Sequence, residues 1–218
     1  MRIGFLHTAE IHIATFDALL ASAAAAATAV HRLEANLLAT AMADGLTSEL
    51  AERLEDAFRG FPPVDVILCT CSTLGPFVDR VEADAPTLRI DRPMLERATS
   101  LGPDPVVAYC LESTRAPTLS LLNACAAEAG VALAPRPVFC EGAWPAFEAG
   151  DVDAFAEAID AAVAYELEQD GPTSAIILAQ ASMRSARERI ERRSPGTPVL
   201  TSPEAAVEAA LRIAGGRG

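Results

Sequence analysis

Short apolar runs rich in β-branched residues alternate along this chain with longer alanine-rich stretches of helical period. That alternation is the signature of βαβ units on a parallel sheet, and the expected class is α/β. The pattern predicts seven strands: Arg2 to Leu6, Val64 to Cys69, Thr87 to Ile90, Pro105 to Leu111, Val131 to Val138, Ser174 to Leu178 and Pro198 to Leu200. Predicted helices fill Thr15 to Ala43, with a break allowed, then Ser48 to Phe58, Leu74 to Ala83, Met94 to Ser100, Thr118 to Ala129, Asp151 to Glu168, Met183 to Arg193 and Pro203 to Ala214. Asp44-Gly45, Gly130, Gly150-Asp151 and Ser202-Pro203 supply the stop and start signals.

Gly102-Pro103-Asp104-Pro105 interrupts the pattern near the middle, and the segments on either side are organised alike. Each opens with a strand that runs into a hydroxyl-bearing turn, Leu6-His7-Thr8 in one and Leu111-Glu112-Ser113-Thr114 in the other. A later strand in each ends in Cys71-Ser72-Thr73 or Gln180-Ala181-Ser182. Open parallel sheets bind ligands beyond the carboxyl ends of their strands, so these four turns are candidate walls of one site.

Composition narrows the chemistry. With 218 residues, 51% of them hydrophobic, the chain can bury one large core or two small ones. The apolar stretch Ala18 to Val30 is too short to span a bilayer and reads as helix, and the N-terminus lacks the long apolar region of an export signal. Five irregularly spaced cysteines do not form a secreted disulfide framework, which points to the cytoplasm. A net charge of -13 leaves no basic face for nucleic acid, and the five arginines between Arg184 and Arg193 are interleaved with glutamates. All 17 basic residues are arginine, so no lysine is present for a Schiff base with pyridoxal phosphate or for a Walker-type phosphate loop. No membrane partner is expected, and oligomeric state is open, although a homodimer is the commonest assembly.

The most informative stretch is Val64-Asp65-Val66-Ile67-Leu68-Cys69-Thr70-Cys71-Ser72-Thr73-Leu74-Gly75-Pro76, a buried strand that passes through a polar turn into a helix. Cys69 reads as a core residue. Cys71 is flanked by three hydroxyls that a core would not choose, and it is the candidate catalytic thiol. At a helix N-terminus its pKa is expected below the usual value of about 8.5, while Ser72, Thr73 and nearby N–H groups suit a carboxylate. Cys69-x-Cys71 lacks a second ligand pair for zinc, although His7 and His12 exist, so no metal is expected. A thiol redox role is disfavoured because Cys69 is awkwardly close to Cys71 for a disulfide. Cys110, Cys125 and Cys140 have no polar setting; His7 is a further candidate at the end of the first strand, and His12 and His31 read as helix residues.

The strand-Cys-Ser-Thr turn at Cys71 resembles the strand-Cys-Asn-Thr turn of the aspartate/glutamate/hydantoin racemase superfamily. Ile3-Gly4-Phe5-Leu6-His7-Thr8 looks like the first strand and substrate-binding turn of that superfamily, and Thr201-Ser202-Pro203-Glu204 like its closing helix start. Ile176 to Met183 looks like the second-half strand, where racemases read Leu-Gly-Cys followed by Thr or Ala. The resemblance implies two pseudo-symmetric parallel-sheet half-domains, Rossmann- or flavodoxin-like, with the site between them: residues 1–98 with 199–218, and residues 99–198. It also implies cofactor-independent chemistry beside a carboxylate. In the racemases two cysteines act on opposite faces of the α-carbon, and here the second position is Gln180, which exchanges no proton at neutral pH.

The resemblance therefore implies a reaction that one cysteine can run on a small carboxylate or related carbon acid, an isomerisation or a lyase reaction such as decarboxylation. Maleate isomerases and arylmalonate decarboxylases are superfamily members with altered cysteine sets. Thr8, Ser72, Thr73, Ser113, Thr114, Gln180, Ala181 and Ser182 would then hold the substrate. The alternative is a catalytically reduced anion-binding or regulatory protein of the same fold.

Overall fold

The computed structural model of the chain describes residues 1–216. The strands are β1 (Arg2–His7), β2 (Thr28–Leu33), β3 (Val66–Cys69), β4 (Thr87–Arg89), β5 (Val106–Tyr109), β6 (Arg136–Phe139), β7 (Ile176–Leu178) and β8 (Val199–Thr201). They form two separate four-stranded, all-parallel sheets, ordered β2-β1-β3-β4 and β6-β5-β7-β8. The second order is the first shifted by four strands, so the repeat suspected in the turns is a repeat of topology. The helices are α1 (Ile11–Ala23), α2 (Ala35–Asp44), α3 (Ser48–Arg59), α4 (Gly75–Val78), α5 (Arg92–Ala98), α6 (Glu112–Ala129), α7 (Ala143–Glu148), α8 (Val152–Asp170), α9 (Arg187–Arg193) and α10 (Ser202–Ala214). The chain is α/β. Among the described residues no helix is long and apolar enough to cross a membrane.

Two compact units hold these elements, Met1–Asp91 with Pro203–Gly218, and Arg92–Ser202. Residues 217 and 218 of the first lie outside the described residues. The divisions fall after Asp91 and after Ser202, so α5 and β8 sit in the second unit. Each unit has its own core. In the first, Leu6, Ile67 and Cys69 of the sheet pack with Leu37 of α2 and Leu50, Leu54 and Phe58 of α3. In the second, Val106, Ala108, Ile176 and Leu178 pack with Phe155, Ile159 and Val163 of α8. Strands buried on both faces need no polar alternation, which is why β3 and β5 read as unbroken apolar runs.

Three expectations are corrected. The helical stretch expected over Thr15 to Ala43, with a break allowed, is two helices, and the break holds a strand, β2. Alanine propensity favours helix through Ala27, but β1 has an open edge, and Thr28-Ala29-Val30-His31-Arg32-Leu33 pairs with it residue by residue from Arg2↔Thr28 to His7↔Leu33. His31 is accordingly a strand residue. The strand expected over Val131 to Val138 shrinks to Arg136–Phe139, an edge strand that accommodates Pro137. The helix expected over Leu74 to Ala83 is only a 3₁₀ turn, Ser72–Leu74, followed by the single turn of α4.

A buried ion cluster cuts that last helix short. Arg89, at the end of β4, makes a two-pronged bond to Asp91, Nε to Oδ1 at 2.7 Å and Nη2 to Oδ2 at 2.8 Å. Its Nη1 takes Asp79, the residue after α4, at 2.7 Å. The guanidinium lies directly over Gly75, where a Cβ would come within 2.4 Å of it, so only glycine admits the arginine. Arg89 and Asp91 are both buried. Removing one partner of a buried, hydrogen-bonded pair leaves a charge without compensation. Asp91→Ala is expected to destabilise the protein by about 3 kcal/mol or more in denaturant unfolding. Glu55→Ala, which breaks the exposed pair to Arg59, is expected to cost less than about 1 kcal/mol.

Candidate active site

The first group of candidate residues forms at the carboxyl ends of β1 and β3. Their register runs Ile3↔Val66 to Leu6↔Cys69, and two further residues bring His7 opposite Thr70 and Thr8 opposite Cys71. Backbone pairing gives way there to side-chain pairing. His7 Nδ1 meets Thr70 Oγ1 at 2.9 Å. The Thr8 side chain hydrogen-bonds the Cys71 sulfur. Successive strand residues face opposite sides, so one bond lies on each face of the sheet.

Cys71 begins the 3₁₀ turn Ser72–Leu74 in an extended conformation. The backbone N–H groups of Thr73 and Leu74 and the Thr8 hydroxyl are directed at its sulfur, and all three favour the thiolate. They do not prevail. Cys71 is 7% exposed, and burial, with the Asp91 carboxylate adding to it, holds the thiol above its ordinary range. This corrects the expectation of a lowered pKa. The helix credited with lowering it has one turn and offers little dipole, whereas desolvation acts in full. In this buried setting the sulfur is a thiol ringed by three donors that become stabilising once its proton leaves. Complete burial pushes the Cys69 thiol up as well, and Cys69 is a core residue, as its sequence suggests.

His7 is fully buried. Burial, together with the neighbouring His12 and His31, lowers its pKa to about 3, and burial lowers that of His12 to about 4. Both rings are neutral near pH 7. His7 Nε2 lies 2.8 Å from His31 Nδ1, and His31 Nε2 lies 2.9 Å from Asp17 Oδ1. Phe5 and Phe16 pack on the same rings. His31 and Asp17 escape a reading of the sequence because their segment scores as helix; β-branched Thr28 and Val30 are the one local signal of a strand. Among the described residues no three His, Cys, Asp or Glu side chains gather as metal ligands.

The second group lies at the carboxyl ends of β5 and β7. Helix α6 starts at Glu112, six residues before the expected Thr118, because Pro117 is carried inside it. Ser113 and Thr114 therefore occupy its first turn, where the Thr114 N–H donates to the Leu111 carbonyl at 2.9 Å and the buried Ser113 hydroxyl has no hydrogen-bond partner. Gln180 begins the 3₁₀ turn of Ala181–Ala186, which contains Ser182. Its Oε1 accepts the Cys110 N–H at 2.8 Å and lies 3.1 Å from Cys110 Sγ. A backbone N–H can only donate, so the carboxamide orientation is fixed, with its oxygen toward Cys110. Cys110 thus does have a polar partner, contrary to expectation; burial and Cys140 push its thiol well up, and burial pushes Cys140 up to about 12. The two groups belong to different units, Thr8, Cys71, Ser72 and Thr73 to the first and Ser113, Thr114, Gln180, Ala181 and Ser182 to the second.

No family model and no curated protein matches the sequence. Solved structures do match. Aspartate racemase from Picrophilus torridus superposes with a TM-score of 0.76 at 14% identity, over 98% of this chain and 94% of that one. The chain has the fold of a racemase. Glutamate racemase from Thermus thermophilus gives a TM-score of 0.69 at 18% identity over 99% and 82% of the two chains. Allantoin racemase from Pseudomonas fluorescens gives 0.61 at 19% over 98% and 90%. The resemblance drawn from short motifs is thus met by a likeness along nearly the whole chain, at the level of fold.

Stability is expected to fall with acid. Unfolded histidine takes up a proton near pH 6.5, whereas folded His7 and His12 resist until about 3 and about 4. Protons therefore favour the unfolded chain below pH 6.5, and each ring removes up to about 1.4 kcal/mol per pH unit as pH falls. Denaturant melts from pH 7 to 4.5 measure this, and His12→Gln should flatten the slope by about one ring. Alkylation of Cys71 by iodoacetamide, located by mass spectrometry, should rise about tenfold per unit from pH 8 to 9 with no plateau. A plateau below pH 8 would mean a thiolate at neutral pH.

Proposed function

We propose that this protein is a cofactor-independent enzyme that uses Cys71 alone on a small carboxylate or related carbon acid, as an isomerase or a lyase such as a decarboxylase. The observation that carries the reading is the contrast between the two equivalent turns. One presents a thiol with three hydrogen-bond donors around it; the other presents Gln180, which is tied to Cys110 and has no proton to exchange at neutral pH.

A protonated thiol suits the role of acid. Cys71 Sγ–H gives its proton to one face of a carbanion or enediolate beside the substrate carboxylate. The thiolate left behind is held by Thr8 and by the N–H groups of Thr73 and Leu74. Ser72 and Thr73 in one unit, and Ser113, Thr114, Ser182 and the Gln180 amide in the other, are the groups assigned to the substrate carboxylates. The fold alone does not choose the reaction; the loss of one cysteine argues against two-base racemisation. The likeness in fold to aspartate, glutamate and allantoin racemases supports an enzyme of this broad kind.

Amino acids, hydantoins, maleate and substituted malonates incubated in heavy water form the test panel. At least one is expected to be isomerised, decarboxylated or labelled at the α-carbon. Cys71→Ser should lower that turnover by about 10² to 10⁴-fold, the usual contribution of a general acid, while Cys110→Ser should spare most of it. A ligand that raises the melting temperature but is never converted or labelled would favour the anion-binding alternative.

A further inference from the structure

Four side chains in the first unit form one hydrogen-bonded row: Asp17 on α1, His31 on β2, His7 on β1 and Thr70 after β3. The row starts at the surface, where the Asp17 side chain is 57% exposed, and ends at the residue before Cys71. Thr70 Oγ1 has two neighbours, His7 Nδ1 at 2.9 Å and the Leu6 carbonyl at 3.1 Å, and it carries one proton to share between them.

Counting protons along the row gives two complete patterns. An ionised Asp17 only accepts, so His31 Nε2–H donates to it in both. In the first pattern His31 is neutral. Its Nδ1 accepts from His7 Nε2–H, His7 Nδ1 accepts from the Thr70 hydroxyl, and the Leu6 carbonyl keeps only the Thr70 N–H at 2.9 Å. The second pattern holds one proton more, on His31. His31 Nδ1–H donates to His7 Nε2, His7 Nδ1–H donates to Thr70 Oγ1, and the Thr70 hydroxyl turns to the Leu6 carbonyl.

We propose that Asp17, His31 and His7 are positioning residues for Cys71 that act through Thr70: one proton taken up at His31 reverses the His31–His7 and His7–Thr70 hydrogen bonds and redirects the Thr70 hydroxyl. The proposal rests on the reading of Cys71 as the reactive thiol. His7 stays neutral in both patterns and changes only its tautomer, as its burial requires. The titratable groups facing it are His12 from α1 and His31 from β2; the residue after β3 contributes the Thr70 hydroxyl, and Asp17 faces His31. His12 is held neutral by burial to about pH 4 and does not compete for the proton. Thr70 is the residue before Cys71, so the reversal reaches the thiol through one step of backbone.

Ring nitrogen shifts of His7 and backbone amide shifts of Thr70 to Thr73, followed by NMR from pH 5 to 8 in the full chain, test this directly. The expected result is that the His7 proton moves from Nε2 to Nδ1 as pH falls, with the Thr70 to Thr73 amides moving at the same midpoint. In Asp17→Asn, a substitution at an exposed position, both transitions should shift together; in His31→Gln both should vanish. A single His7 tautomer across the range, or amides that titrate unchanged in His31→Gln, would overturn the proposal. Loss of turnover in Cys71→Ser tests the reading of Cys71 separately: a normal rate there sinks that reading while the NMR result still decides whether the row works as described.

Discussion

The parallel pairing of β1 with β3 is the contact on which the first unit's candidate site depends. In register it sets Leu6 beside Cys69, and over the next two residues His7 meets Thr70 and Thr8 meets Cys71. Past the last backbone bond, two side-chain bonds on opposite faces continue the join. A slip of one residue would turn each of these side chains to the wrong face. The thiol, its Thr8 donor and the buried histidine are thus consequences of one register.

Beneath that turn, Arg89 serves as a strut. It joins the end of β4 to Asp79 just after α4 and to Asp91, and it lies against Gly75. The result is a tight 3₁₀ turn and a one-turn helix in place of a long one, which brings the Thr73 and Leu74 N–H groups to the Cys71 sulfur. A longer helix would have supplied a stronger dipole. What the protein has instead is a set of nearby donors in a desolvated setting, an arrangement that keeps the proton on sulfur.

The second unit repeats the strand order without repeating the chemistry. Where the first places a thiol among donors, the second places a carboxamide whose oxygen is committed to Cys110. Two turns of equal standing in the fold therefore carry unequal functional groups, a thiol with an ionisable proton and a carboxamide without one.

Much of this was legible in the chain. The alternation of apolar runs with alanine-rich stretches determined the α/β class, because periodicity and burial on both sheet faces leave a local mark. The same holds for Cys71, whose three hydroxyl neighbours make no sense in a core, and for Gln180 at the equivalent turn. Other features depended on partners distant in sequence. Thr28 to Leu33 is a strand only because β1 has an edge to fill, and His31 meets His7 only once that strand is in register. Arg89 reads as an ordinary arginine until folding brings Asp79, Asp91 and Gly75 around it. The protonation of Cys71 likewise belongs to the tertiary structure, since sequence shows the donors near a thiol but not the water that folding removes from it.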